Sequence, residues 1–325
     1  MNQPVLYPLL FVPQLKEKVW GGTKLVTEFH KMGEGKIGES WELSGVEGAI
    51  SVVANGPLQG AYLTDLINEY KEQLVGKSVY HSFGNEFPLL FKFIDAAQDL
   101  SVQLHPDDTL AKERHNAFGK TEMWYVLHTD ANARLILGFN RLLDKASLAD
   151  ILKDNTITSV LNEVSVKQGD AFFIAPGTVH AIGAGVVLAE IQQTSDITYR
   201  IYDWDRPDTD GTLRKLHIDE AMDAIDFTDK EVRILYQDSM NCRVLLRECP
   251  YFVTHKLVLD QNFEVTDYQT ESCKVYMCTS GSAHFRVEND AVAIQKGQTL
   301  LMPAGCTQYS IETENATFLE VYIPQ

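Results

Sequence analysis

The chain has 325 residues, which at roughly 150 residues per domain predicts about two domains. Hydrophobic residues at 45% and charged residues at 22% exclude wholesale disorder, fibres and small disulfide-stapled scaffolds. Lys+Arg 28 against Asp+Glu 45 leave a net charge of −17, a surface that repels nucleic-acid phosphates and anionic lipid, so neither nucleic acid nor a membrane is an expected partner.

The N-terminus, Met1-Asn2-Gln3-Pro4, lacks the basic flank and cleavage site of a signal peptide. The longest apolar stretches, 7–13 and 87–91, fall far short of the ~20 residues that span a bilayer, so a cytoplasmic protein is expected. Thr64 can cap a helix that carries Leu63, Leu66, Ile67, Tyr70 and Leu74 on one face and stops at Gly76. In 100–108 side chains two apart share a side, which puts Ser101, Gln103 and His105 on one face and Val102 and Leu104 on the other. That polar face fits either solvent or a metal site. In 119–127 Lys120 and Glu122 share a face at the start of an apolar strand.

Further runs at 135–138, 171–174, 186–191, 252–259, 275–278 and 318–323, separated by Gly, Pro, Asn and Asp, predict a mainly β chain of sandwiches or barrels. Short helices are predicted over 147–153 and 218–225. Between them, Glu190, Gln192 and Thr194 alternate with Ile191 and Gln193 as a strand lining a cavity, and Arg200 follows a short turn. The acids at 203, 205, 208 and 210 fail as a calcium loop, because Arg206 and His217 stand where an EF-hand needs an acid and a glutamate. A solvated acidic loop is expected there, ahead of a boundary that divides the chain into 1–235 and 240–325. The five cysteines, odd in number and without C-x-x-C spacing, predict reduced, mostly buried thiols. No Gly-rich phosphate loop, G-x-S-x-G or H-E-x-x-H occurs, which removes support for nucleotide-dependent transfer and serine hydrolysis.

One internal repeat organises these elements. Segment 169–180, GDAFFIAPGTVH, aligns after a one-residue adjustment with 297–308, GQTLLMPAGCTQ: turn, strand, Pro/Gly turn, then a polar residue opening the next strand. Each copy resembles the second motif of the cupins, whose terminal histidine binds metal inside a jelly-roll barrel. The first copy keeps His180 and the second carries Gln308, so two cupin-like jelly-roll barrels with a few inserted short helices are expected, with metal only in the first. Gln103, His105, Glu122 and His180 together would suit zinc with an open position, while His105, Glu122 and His180 alone would equally suit a non-haem iron oxygenase.

The ordered set Val19-Trp20-Gly21-Gly22, 38–44 (GESWELS), 87–92 (FPLLFK), 100–108, 119–125, 176–180 and 195–205 resembles the type I phosphomannose isomerases in their shorter bacterial form. The resemblance implies an aldose-ketose isomerase acting on a small-molecule sugar phosphate, mannose 6-phosphate, with one Zn2+ per chain. It implies zinc ligands Gln103, His105, Glu122 and His180, a catalytic Arg200, pocket residues Lys92, Ser101 and Lys120, and Glu190 as a proposed base, with Lys120 an alternative proton carrier. The chain departs from the longer members after the arginine, where Ile201-Tyr202-Asp203-Trp204 stands, and leaves Arg206, Arg214 or Lys215 to complete the phosphate site. An acidic surface with β edges fits a monomer or a homodimer. The rival readings are a cupin iron dioxygenase and a non-catalytic sugar-phosphate-binding protein.

Overall fold

The computed structural model describes residues 5–208, 210–228, 231–266, 271–288 and 290–324. Its strands form three sheets. The run at 186–191 becomes the strand Val186–Gln193 at the heart of a seven-stranded sheet. It pairs antiparallel with Leu89–Ala96 on one side and Glu122–Thr129 on the other. Alternation along these three strands decides what each face does. Val187, Ala189, Ile191, Phe91, Phe93, Met123 and Tyr125 point into a core shared with the helices and the C-terminal strands. Val186, Leu188, Ile94, Trp124 and Val126 point the other way, into a second core.

A five-stranded sheet closes that second core with Leu135, Leu137 and Ile182. Its order is Tyr199–Tyr202, Val102–Leu104, His180–Ile182, Arg134–Phe139 and Leu161–Ser165. Its outer face, with Val102, Leu104, Ile136, Ala181 and Ile201, packs on Leu148 and Ala221 of two helices. Two facing sheets around a common interior make the first cupin-like barrel. The third sheet gathers the C-terminal strands, and the short strand Leu9–Leu10 joins it by pairing with Leu300 and Leu301. Among the described residues no helix is long and apolar enough to cross a membrane.

The repeat is visible in the backbone. Ala171–Ile174 and Thr299–Met302 are the corresponding strands, and His180 and Gln308 each open the next one. Gly169 and Gly297 both have φ near +90°, at 90° and 86°, and each donates its N–H back across the turn, to Val126 O and Cys278 O. Only glycine adopts that backbone without strain, so the turn chemistry is common to both copies.

Two helix expectations need correction. Leu63–Tyr70 is capped by Tyr62 rather than Thr64, because the Val52–Tyr62 bridge holds Tyr62 extended up to the first helical residue. The helix also breaks at Lys71, φ 48°, and restarts as Glu72–Val75. The carbonyls of Gln73, Leu74 and Val75 accept from backbone N–H groups of Gly305, Ala304 and Cys273, which draws this last turn onto the C-terminal strands. The predicted helix at 147–153 begins earlier, as Lys145–Lys153, with Asp144 accepting from Ser147 N. Asp108–His115 was not anticipated, although Asp107, which accepts from Leu110 N at 2.8 Å, is a strong N-cap.

Candidate active site

Register brings the candidate residues together. His180 lies directly opposite Gln103, and Gln103 lies opposite Arg200 on its other side, so all three project from one face of the five-stranded sheet. On the facing sheet, Glu190 lies opposite both Lys92 and Trp124, and Gln192 lies opposite Glu122. His105 follows the strand that carries Gln103. Polar side chains therefore occupy one end of an otherwise apolar barrel interior, where Leu188 and Val126 would otherwise be continued by further aliphatics.

His105, Glu122 and His180 each expose only 1% of their surface, and their ligand atoms lie within 4.8 Å of one another. Both imidazoles donate Nδ1–H to a backbone carbonyl at 2.8 Å, His105 to Ile197 O and His180 to Thr178 O. That bond fixes the tautomer and leaves both Nε2 atoms as acceptors beside Glu122, with His105 Nε2 accepting from Lys120 Nζ at 3.3 Å. Burial, reinforced by Lys120, pushes the His105 imidazole down to about 4, and burial lowers His180 as well. Burial opposes ionisation of Glu122, but Lys120 and His105 overcome it and hold the carboxyl well below its usual range. Lys120 Nζ lies 3.0 Å from Glu122 Oε1, at an angle that makes an ion pair and no hydrogen bond.

Both Glu122 oxygens and His180 Nε2 are consequently buried without a hydrogen-bond partner. Orphaned polar atoms are costly in an interior. Two neutral imidazoles and an ionised carboxylate converging on one point are the donor set of a divalent transition metal, and the cluster fits one.

Beside the cluster opens a cavity of about 490 Å³ that includes Gln103, His180, Ser101 and Glu190 in its wall. Lys92, Lys120 and Arg200 line it, and Lys16, Lys18 and Arg214 join them. Lys92 donates to Glu190 Oε1 at 2.8 Å and to Gln192 Oε1 at 2.7 Å, while Trp124 Nε1 donates to Glu190 Oε2 at 2.9 Å. Burial alone would lower the Lys92 ammonium, but Glu190 and Glu39 raise it, so it stays charged. Burial and the neighbouring Arg214 lower the Arg200 guanidinium, whose Nε is buried and unpartnered. Adjacent guanidinium groups of like charge make this part of the cavity receptive to an anion. A larger hollow of about 870 Å³ between helices Lys145–Lys153 and Ile218–Ala224 has no buried titratable side chain in its wall.

The three cations left open by sequence fall in different places. Arg214 lines the cavity, its guanidinium held by Asp203 through Nε at 2.7 Å. Arg206 turns outward to Gln98 Oε1 at 3.1 Å and to Asp203. Lys215 offers Arg200 its carbonyl, at 3.0 Å. The expected solvated acidic loop is corrected at Asp203, which is 6% exposed and paired with both arginines.

Sequence reasoning gave no role to Glu39 and Trp41, which line the cavity. Trp41 Nε1 donates to Glu39 Oε2 at 2.7 Å. Burial raises the Glu39 carboxyl, but Lys92 and Lys18 outweigh it and bring the net shift below the usual range. Alternation over Ile37–Leu43, with Glu39 and Trp41 on one side and Ser40 and Glu42 on the other, was the available signal.

The family model for the phosphomannose isomerase type I catalytic domain matches residues 9–132. Mannose-6-phosphate isomerase ManA of Bacillus subtilis is 34% identical over 309 residues, covering 94% of this chain and 96% of that protein. Mannose-6-phosphate isomerase of Streptococcus mutans is 34% identical over 300 residues, covering 91% of this chain and 92% of its own. Among solved structures, mannose 6-phosphate isomerase from Bacillus subtilis superposes with a TM-score of 0.88 at 31% identity, covering 97% of this chain and 99% of that one. A variant of phosphomannose isomerase from Salmonella typhimurium, at 18% identity and a TM-score of 0.77 over 98% and 100% of the two chains, shares the fold. Sequence identity sustained along nearly the whole length, with a superposable fold and a buried metal-competent cluster, places the chain among the type I phosphomannose (mannose-6-phosphate) isomerases.

Proposed function

We propose that the chain interconverts mannose 6-phosphate and fructose 6-phosphate by moving a proton between C1 and C2 through an enediol(ate), with one zinc ion held by Gln103, His105, Glu122 and His180. The observation that carries this reading is the buried His105–Glu122–His180 cluster, with both Glu122 oxygens and His180 Nε2 unpartnered, beside a cavity ringed by cations. Zinc, when bound, supplies a Lewis acid that favours negative charge on the sugar's C1 and C2 oxygens.

The chain's own residues account for the remainder. A sugar phosphate carries about −1.5 to −2 at pH 7 and must approach a molecule of net charge −17, so local cations have to outweigh the global field. Arg200 and Arg214 receive the phosphate, with Ser101 beside them. Arg200 also contributes fixed positive charge toward the enediolate. Glu190 and Lys120 are the proton carriers. Glu190 takes a proton from carbon by releasing Lys92 or Trp124 from one of its oxygens, and Lys120, on the ligand side, serves the sugar oxygens. Residues 1–235 form the catalytic unit on this reading, with 240–325 packed behind it.

The test is anaerobic incubation of the purified protein with mannose 6-phosphate, following fructose 6-phosphate and measuring bound metal in the same sample. Turnover without oxygen and about one zinc per chain is the expected result. Full metal occupancy without turnover refutes the isomerase assignment, and turnover that requires oxygen replaces it with the iron dioxygenase.

A further inference from the structure

The segment that delivers Lys120 and Glu122 is an irregular stretch preceding a strand, yet it must hold two functional side chains in register with His105. Three successive backbone amides fix it. Gly119 N donates to Asp108 Oδ1 at 2.9 Å, Lys120 N to Pro106 O at 3.1 Å, and Thr121 N to Gln193 Oε1 at 3.0 Å. Gln193 is itself held, its Nε2 donating to the same Asp108 Oδ1 at 2.9 Å. Only glycine fits at 119, where a Cβ would lie 2.6 Å from Asp107 C and from Asp108 N. The Asp108 carboxylate is thus the hub on which two of the three ties converge.

The second oxygen of that hub is anchored from far along the chain. Tyr251 donates its hydroxyl to Asp108 Oδ2 at 2.6 Å across a separation of 143 residues. Tyr251 sits in the tight turn between Arg243–Glu248 and Val253–Leu259, closed by Cys249 N donating to Phe252 O at 3.0 Å. Burial, with Asp108 as acceptor, raises the phenol above its ordinary value, so it remains a donor across the working range.

We propose that Tyr251 is a positioning residue, through which the C-terminal sheet clamps Asp108 and thereby sets the placement of Lys120 and Glu122 at the metal cluster. The inference rests on the reading of His105, Glu122 and His180 as the metal centre. A carboxylate held by donors on both oxygens cannot swing without breaking a charge-assisted bond. With the phenol removed, Oδ2 loses this donor and the carboxylate is held through Oδ1, by Gly119 N and Gln193 Nε2, so the segment 119–122 loses the tie that fixes the carboxylate's rotation. Residues outside the ligand set act on metal affinity through orientation in this way.

Tyr251→Phe tests it, with Tyr309→Phe as the control. Tyr309 is also a buried phenol of the C-terminal sheet, bonded to Tyr276 Oη at 2.6 Å, and has no tie to Asp108. Zinc retention is read by competition with a chelator, together with amide hydrogen exchange of the peptide covering 119–124. Tyr251→Phe should weaken zinc retention about 5- to 10-fold and speed exchange in that peptide, a loss at the low end of that expected for groups that orient ligands. Tyr309→Phe should leave both at wild-type values, whatever it does to the unfolding midpoint. Unchanged retention and exchange in Tyr251→Phe overturn the proposal, as do equal losses in both variants, which would report general loosening. Wild-type protein that retains no zinc in the same titration overturns the metal-centre reading itself, a result distinct from either.

Discussion

Acid should destabilise the metal-free protein through His105, and the structure sets the size of the effect. The imidazole is 1% exposed and titrates at about 4 in the fold, against about 6.5 when unfolded. A folded value below the unfolded one means the unfolded chain takes up the proton first. Stability is complete above about 6.5 and is lost as pH falls toward about 4. Between pH 7.5 and 5.0 the loss is about 2 kcal/mol, and it approaches roughly 3 kcal/mol when both states are protonated. The downward shift of His180 adds in the same direction. The assay is urea unfolding of chelator-treated protein at half-unit pH steps, compared with His105→Asn, whose amide can still donate to Ile197 O. The wild-type slope near pH 5 should exceed the variant's by nearly one proton per chain, the variant keeping the part due to His180. Equal slopes in the two proteins would refute the assignment of this acid sensitivity to His105.

Two further outcomes follow from the cavity and its supports. Arg214→Met should raise KM for the sugar phosphate roughly 30-fold, the loss of about 2 kcal/mol expected for a hydrogen bond to a charged group, with zinc content unchanged, while Arg206→Met, outside the cavity wall, should change KM less than about 2-fold; steady-state kinetics with metal analysis distinguishes them. Gly177→Ala would place a Cβ 2.6 Å from Ala224 O at φ +78°, beside a backbone N–H that holds His105 O at 2.9 Å, and should cost about 2–4 kcal/mol in urea unfolding and weaken zinc retention.

Local pattern carried much of this architecture. Alternation in 186–193 announced a strand with two different faces, and the burial of Ala189 and Ile191 on one side and Glu190 and Gln192 on the other is its realisation. The repeat located His180 and Gln308 at equivalent positions because a positive-φ glycine and a Pro/Gly turn leave a readable imprint. What escaped depends on contacts between distant segments. No local feature distinguishes Arg214 from Arg206, since both pair with Asp203 and only the path of the loop decides which guanidinium faces the cavity. The helix break at Lys71 was equally hidden, because the backbone groups that hold the turn after it belong to Cys273, Ala304 and Gly305. Glu39 and Trp41 sat inside a recognised stretch, but the ring of lysines that gives them a role comes from strands far apart in sequence.

The pairing of Leu9 and Leu10 with Leu301 and Leu300 has a consequence for biogenesis. Leu9–Leu10 is translated well before the strand Thr299–Met302 that pairs with it. Until that later strand emerges, the segment has unsatisfied backbone groups and apolar side chains that a chaperone must shield or a neighbouring nascent chain can capture. Termination before residue 299 would therefore strand Leu9–Leu10 as well as the truncated end, and such fragments should be degraded rather than accumulate as a working half-molecule.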